Sequence, residues 1–355
     1  MRRFRVTLAS AVAAAILLLA AAPPARAEVD FGFFYDQLSP YGEWTQHASF
    51  GWVWTPSDVP ATWRPYTRGH WVWTDEGNVW VADEEWGWIP SHYGRWAFDP
   101  DGGWFWIPGT VWAPAWVSWR SGGGYVGWAP LPPAIGFSIS AGFAFDGFGF
   151  DDIDESFWSF VPESQCYEPE VDRVVVVRAR NRVLLRDART MTRFEVEKGH
   201  VVDRSIDDDH LKRWLGRVPP KVRIEETAEV GRGHREEVRG DRLSIARPLV
   251  TAKPLPEGPR NRAETERKGF PGGFDAEREH VRARQQLEHE QLNQVHRQEL
   301  EKAKEGRAAL QYRHQEERLR LEDLHNRENR RLLQRQPASQ GGGGQREQQR
   351  REKDR

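Results

Sequence analysis

Residues 41–56 read YGEWTQHASFGWVWTP, and the same design returns twice, as RGHWVWTDEGNVWVAD at 68–83 and YGRWAFDPDGGWFWIP at 93–108. Each copy opens on Gly-x-Trp, at Gly42, Gly69 and Gly94, and passes through a Gly-bearing turn to a second aromatic strand. Trp52 and Trp54 stand two apart, as do Trp71 and Trp73, and Trp104 and Trp106, so each pair falls on one face of an extended chain. Asp75-Glu76-Gly77-Asn78 and Asp99-Pro100-Asp101-Gly102-Gly103 are turn sequences. Folding each unit about its turn sets Trp44 opposite Trp54, Trp96 opposite Trp106 and Phe98 opposite Trp104. Such cross-strand aromatic pairs contribute about 0.2–1 kcal/mol each relative to alanine. A fourth hairpin is expected at 115–130, AWVSWRSGGGYVGWAP, with Trp116 facing Trp128 and Trp119 facing Tyr125. Trp116 and Trp119 are an odd number apart, so this hairpin is expected to bury one face and carry an aromatic surface on the other. A single hairpin cannot bury its own apolar face, so the repeats are expected to pack into one Trp-rich β domain over 28–134.

Sixteen of the 18 tryptophans lie between Trp44 and Trp128. Most indoles are expected in the core. A domain of about a hundred residues has limited interior, however, and every buried indole N–H needs an acceptor. A subset is therefore expected outside as a stacking platform: Trp63, Trp86, Trp88, Trp112 and Trp119. Residues 28–134 hold 12 acids against four arginines and no lysine, which suits a neutral or cationic ligand better than a phosphate polymer.

The stretches YGEWTQHASFGWVWTP, TWRPYTRGHWVWT, EEWGWIPSHYGRWAFDPDGGWFWIPG and WAPAWVSWRSGGGYVGWAPLPP, with VVDRSID at 201–207 downstream, resemble a Trp-rich family of exported bacterial proteins. That family is catalogued as a domain of unknown function, and some of its members carry FecR-type domains. The similarity spans Phe31–Ile224. It implies export and carries no established activity, so it assigns no catalytic residue.

The amino-terminal end reads as an export signal. Arg2, Arg3 and Arg5 precede an apolar run from Val6 to Ala22, and Ala25-Arg26-Ala27 offers a small-x-small cleavage pattern, which places the mature start at Glu28 in the periplasm or outside the cell. No later stretch is apolar enough to span a bilayer. Losing the four leader arginines takes 51 basic residues to 47 against 53 acids, a net charge of −6, which argues against nucleic acid as a partner. Cys166 is the only cysteine, so no internal disulfide forms and stability rests on packing.

Residues 135–251 read as a Gly/Phe-rich segment followed by a small α+β domain. Short strands are expected at RVVVVRA (173–179), VLLRD (183–187), TRFEVEK (192–198) and HVVDRSI (200–206), and a helix over 207–216, with further strands near Val222–Glu225 and Leu243–Ala246. A Pro-rich linker spans 252–273. Residues 274–336 contain no proline and only Gly306, and predict one long charged helix of about 90 Å. Its apolar positions recur at eleven rather than seven, as Val281–Leu292 and Leu310–Leu321–Leu332 do, so a loose coiled coil and a solitary helix both fit. The Gly- and Gln-rich tail 337–355 predicts disorder.

The chain thus reads as mainly β with a long carboxy-terminal α-helix. No cofactor or metal set is identified, and Cys166 with His200 lacks any local sign of thiol activation. The first functional reading is a non-enzymatic exported envelope protein that binds cell-wall glycan or an envelope protein through exposed tryptophans. The second is a structural assembly protein with its tryptophans in the core, which interacts or self-associates through the helix. A carbohydrate-active enzyme would need two carboxylates converging beside the aromatics.

Overall fold

All four hairpins form. The computed structural model describes residues 27–145, 147–227, 230–231, 233–253 and 269–336. Residues 1–26, 254–268 and 337–355, and with them the expected leader, most of the expected linker and the expected tail, lie outside the described residues. Strand β1 (Glu28–Asp30) leads into helix α1 (Phe31–Leu38), whose start is capped by Asp30 accepting from the Gly32 and Phe33 amides. The repeats follow as β2 (Gly42–His47) with β3 (Gly51–Pro56), β4 (Gly69–Thr74) with β5 (Gly77–Ala82), and β6 (Arg95–Asp99) with β7 (Gly103–Ile107). Trp44 pairs with Trp54, Trp96 with Trp106 and Phe98 with Trp104, as the turn positions require.

The first and third hairpins join through their second strands, at Trp54 opposite Trp106, giving the sheet order β2-β3-β7-β6. Trp54 and Trp106 are both fully buried, and each donates its indole N–H to a chain carbonyl, of Leu38 and Tyr93 respectively. This pairing explains the Gly of Gly-x-Trp. A Cβ on Gly42 would stand 2.5 Å from the Trp54 Nε1, and one on Gly94 would stand 2.8 Å from the Trp106 Nε1. The glycine is the floor on which the cross-strand indole lies.

The fourth hairpin, β8 (Val117–Gly122) with β9 (Tyr125–Pro130), forms with a different register from the one expected. Trp119 faces Trp128, and Gly122 faces Tyr125. The chain reverses over Gly123-Gly124, both at positive φ, which makes a two-residue turn. The expectation centred the turn one and a half residues too early among three consecutive glycines. This hairpin is also buried on both faces. Trp119 and Trp128 enter the main aromatic core, while Trp116 enters a second core with Trp158, Phe160, Leu131 and Ile135.

The middle of the chain is woven into this second core. After β10 (Ile135–Ser138) and β11 (Gly142–Phe145), strand β12 (Ser159–Pro162) adds to β9. VLLRD forms no strand but helix α2 (Asn181–Asp187), and RVVVVRA forms an irregular segment with short 3₁₀ turns. Val175 and Val177 are buried there from two different cores, so the apolar run covers surface instead of joining a sheet. Strand β13 (Arg189–Thr190) completes the order β12-β9-β8-β13. Then come β14 (Phe194–Glu197) with β15 (His200–Asp203), helix α3 (Asp208–Leu215), and β16 (Arg223–Thr227), β17 (Glu237–Arg239) and β18 (Arg242–Ala246) in a three-stranded sheet. Asp207 caps α3 and Gly216 ends it in the left-handed region. Strand β19 (Leu249–Thr251) returns to pair in parallel with β1.

The predicted single long helix is two helices, α4 (Gly273–Lys302) and α5 (Arg307–Gln334). The chain leaves α4 at Ala303, in extended conformation, and starts α5 from Gly306 at φ +70°. They run antiparallel, as Gln285–Asn329, Glu288–His325 and His296–Glu317 contacts show. The eleven-residue spacing lays Val281, Leu292, Leu321 and Leu332 on the buried side, against Ala61, Val177 and Ala179 of the β body. A lone helix would leave this stripe in water; folding back and docking buries it. No described helix is long and apolar enough to cross a membrane.

Candidate functional site

The five tryptophans expected as a surface platform are all buried, from Trp119 at 0 % exposure to Trp63 at 9 %. Their N–H groups explain how. Trp63 donates to Glu84 at 2.6 Å, Trp86 to Asp58 at 3.1 Å and Trp119 to Asp203 at 2.9 Å. Carboxylates drawn into the body thus supply acceptors for three of the five, while the buried Trp112 N–H, like those of Trp44, Trp71 and Trp73, has no hydrogen-bond partner among the described residues. Trp112 is sandwiched between the Arg247 guanidinium, 3.8 Å from its ring centroid, and the stacked ring of His92. Trp88 meets Phe33 and His234 edge-on. Trp63, Trp86 and Trp96 pack with Trp54 in one cluster, and Trp119 joins Trp71, Trp80 and Trp128 in another.

Burial raises both Glu84, to about 7, and Asp203, to about 6, against the hydrogen bonds they accept from the indoles. Cys166 is fully buried and its thiol is pushed up by that burial. His200 bonds to Glu76 instead, so the two form no thiol–imidazole dyad. The acids at 151–155 are engaged locally: Asp151 meets Arg120, Asp152 and Asp154 cap turns, and Glu155 holds Arg182. Among the described residues no group of three His, Cys, Asp or Glu side chains is placed to hold a metal ion.

A cavity of about 340 Å³ opens where helix α4 lies over the loop between β3 and β4. Trp63, Pro60 and Val175 supply apolar wall, and Arg64, Arg68, Arg178 and Arg284 line it too. Asp58, Asp172 and Glu288 line it as well. Two arginines are matched: Arg178 pairs with Glu328, and Arg284 lies 3.3 Å from Glu288, which also accepts from His325. Asp58 accepts the Trp86 indole N–H. Arg64 differs. It is 8 % exposed, donates to the Trp158 carbonyl at 3.0 Å, and has no carboxylate within 4 Å among the described residues. Burial, then Arg178 and Arg284, lower its pKa to about 9. Sequence reading passed over these arginines, because their convergence needs α4 folded against the β body; Arg64 and Arg284 are 220 positions apart.

Residues 35–135 match a family of unknown function (DUF6600). The match contains all four Trp hairpins and is narrower than the Phe31–Ile224 similarity read from the sequence. Among curated proteins and solved structures, nothing matches the chain.

Proposed function

We propose that this is a non-enzymatic exported envelope protein that works as a structural assembly module. The Trp hairpins make a rigid body, and the helices α4 and α5 carry the contact with an envelope protein or a second copy of the chain. The observation that carries this reading is the burial of all five candidate tryptophans, with three indole N–H groups committed to internal carboxylates. A sugar stacks on an exposed ring face, and these five offer none. The leader pattern ending at Ala25-Arg26-Ala27 supports export to the periplasm or beyond. Tyr312 and Leu319 support the helical contact: both are exposed on α5 and lie two turns apart, opposite the buried Leu321.

Sedimentation velocity of the full chain over a concentration series, beside a Tyr312→Glu, Leu319→Glu double variant, tests this. Self-association lost in the variant supports the reading, and so does capture of an envelope protein by the parent chain alone. A monomer that pellets saturably with purified peptidoglycan, equally well in both forms, would overturn it in favour of glycan binding.

A further inference from the structure

We propose that the cavity between Trp63 and helix α4 is a binding site for a small oxyanion, a carboxylate or a phosphate ester, carried on an apolar body. A buried guanidinium without a matched counter-charge is costly, and evolution commonly resolves it with an ion pair or a ligand. Here the four arginines lining the cavity face Asp58, Asp172 and Glu288 directly, with Glu328 behind Arg178. Glu328 and Glu288 are engaged by Arg178 and Arg284. Arg64 on the inner wall and Arg68 at the exposed mouth have no carboxylate within 4 Å among the described residues.

One fork on the inner wall and one at the mouth suit an acceptor with two or three oxygens, because guanidinium groups bind carboxylate and phosphate through paired N–H donors. Trp63, Pro60, Val175 and Phe270 line the rest, which asks for an apolar portion beside the charged head. A volume of about 340 Å³ suits a small metabolite and is far too small for a polymer segment wrapped by protein. His280 at the mouth is held down first by burial and then by Arg68 and Arg284, against Glu277 and Asp172, which raise it. This inference does not depend on the assembly reading, since it concerns a cavity on the inner side of α4, away from Tyr312 and Leu319.

Isothermal titration of the full chain with phenyl phosphate, benzoate, inorganic phosphate and the neutral benzyl alcohol tests it. Saturable binding of phenyl phosphate or benzoate is expected, with the better of the two identifying the head group as phosphate or carboxylate. Inorganic phosphate is expected to bind more weakly than phenyl phosphate. Arg64→Gln removes the charge while the Trp158 carbonyl keeps its bond from the Asn181 amide, and is expected to weaken binding by about tenfold or more, as loss of a charge-assisted hydrogen bond does. It is also expected to leave the melting temperature of the free chain unchanged or raised, which a purely structural arginine would not do. Arg68→Gln, at the exposed mouth, cannot disturb the core and is expected to weaken binding roughly two- to fivefold; it decides the matter alone if Arg64→Gln does not fold. No saturation by any anion at about 10 mM, binding of benzyl alcohol equal to that of benzoate, or unchanged affinity in the folded variants would overturn the proposal.

Discussion

The β body and the helical seam bury their polar groups in opposite ways. In the body, aromatic rings fill the space, and Glu84, Asp58 and Asp203 accept neutral indole N–H groups, while Glu236 meets His92 and Glu76 meets Arg247. In the seam, four aliphatic side chains share the interface with His296, His314, His325, Glu277, Glu288, Glu317, Glu328 and Arg331, all buried. The pKa directions follow. Glu84 and Asp203 are raised by burial. Glu288 and Glu299 end below their ordinary range, since histidine hydrogen bonds and arginine charges outweigh their burial. A dry core tolerates a carboxylate by favouring its proton, whereas a charged interface tolerates it by surrounding it with cations. The body should therefore be intrinsically stable and the seam conditional.

The largest effect that could break this comparison is in the body. Trp119→Ala removes a fully buried indole packed on Trp71 and Trp128 and leaves Asp203 without that donor. A loss of about 3–5 kcal/mol in denaturant unfolding is expected, combining transfer and cavity costs. A loss under about 1 kcal/mol would mean that the aromatic core is not the source of stability. Tryptophan fluorescence is the proper probe, because residues 273–334 contain no tryptophan and the signal reports the body alone.

Most of the fold was legible because period-two aromatics and glycine turns are local signals. The pairs Trp44–Trp54 and Trp96–Trp106 followed from counting back from a turn. The counting failed at Ser121-Gly122-Gly123-Gly124, where three glycines offer several turn centres and nothing local selects one. RVVVVRA and VLLRD misled for a related reason: β-branched residues favour strands, and here tertiary packing gave them a loop and a helix. The exposed-indole expectation failed because acceptors such as Asp203 lie 84 positions from Trp119, beyond any sequence pattern. The eleven-residue period was visible at 281–332, but the reversal hung on Gly306 alone, and one glycine in a helical run does not announce a hairpin.

A smaller effect is expected in the seam. Glu328→Gln strips Arg178 of its partner at a buried position, and the cost of breaking such a pair is about 3 kcal/mol. That cost should appear as faster hydrogen exchange in α4 and α5, with the tryptophan fluorescence transition nearly unmoved. Equal shifts in both probes would show body and seam to be one cooperative unit.

Acidification should separate the two regions without any mutation. Burial, with His314 and Arg318 beside it, lowers His296 from 6.5 to about 4. Its neutral form is favoured in the fold, so its stabilisation is complete above pH 6.5 and fades as pH falls toward about 4. Glu288 and Glu299 add stability present above their unfolded value of 4.5 and lost below it. Glu317, raised by burial, opposes them, since its contribution grows as pH falls. In the body the sign of two carboxylates reverses: Glu84 and Asp203, raised to about 7 and about 6, favour folding more as pH falls through those values and outnumber His70, which burial holds down. Between pH 6.5 and 4 helical circular dichroism should therefore melt earlier while tryptophan fluorescence melts no earlier. Parallel loss of both signals would contradict the opposite slopes.

The smallest effect sharpens the comparison from outside the seam. Asp323 and Arg327 form an i,i+4 pair on α5 with half of each side chain in water. Solvent and salt screen such a pair, and holding two long side chains in place offsets much of its attraction, so Asp323→Asn should cost at most about 0.5 kcal/mol. The same helix carries Glu328, five residues on, whose loss is expected to matter several times more. The two pairs share charge type but differ in reach and burial: Asp323 and Arg327 sit half-exposed on one helix, whereas Glu328 ties α5 to Arg178 of the β body at a buried position. Measuring both variants by exchange in 0.05 and 0.5 M salt tells the two kinds of pair apart: the exposed pair should lose its small contribution at high salt, and the buried one should keep most of its own. Were Asp323→Asn to loosen the seam as much as Glu328→Gln, the helices would be held by their net charge pattern, and the specific contacts between Arg178 and Glu328 would no longer explain why they dock.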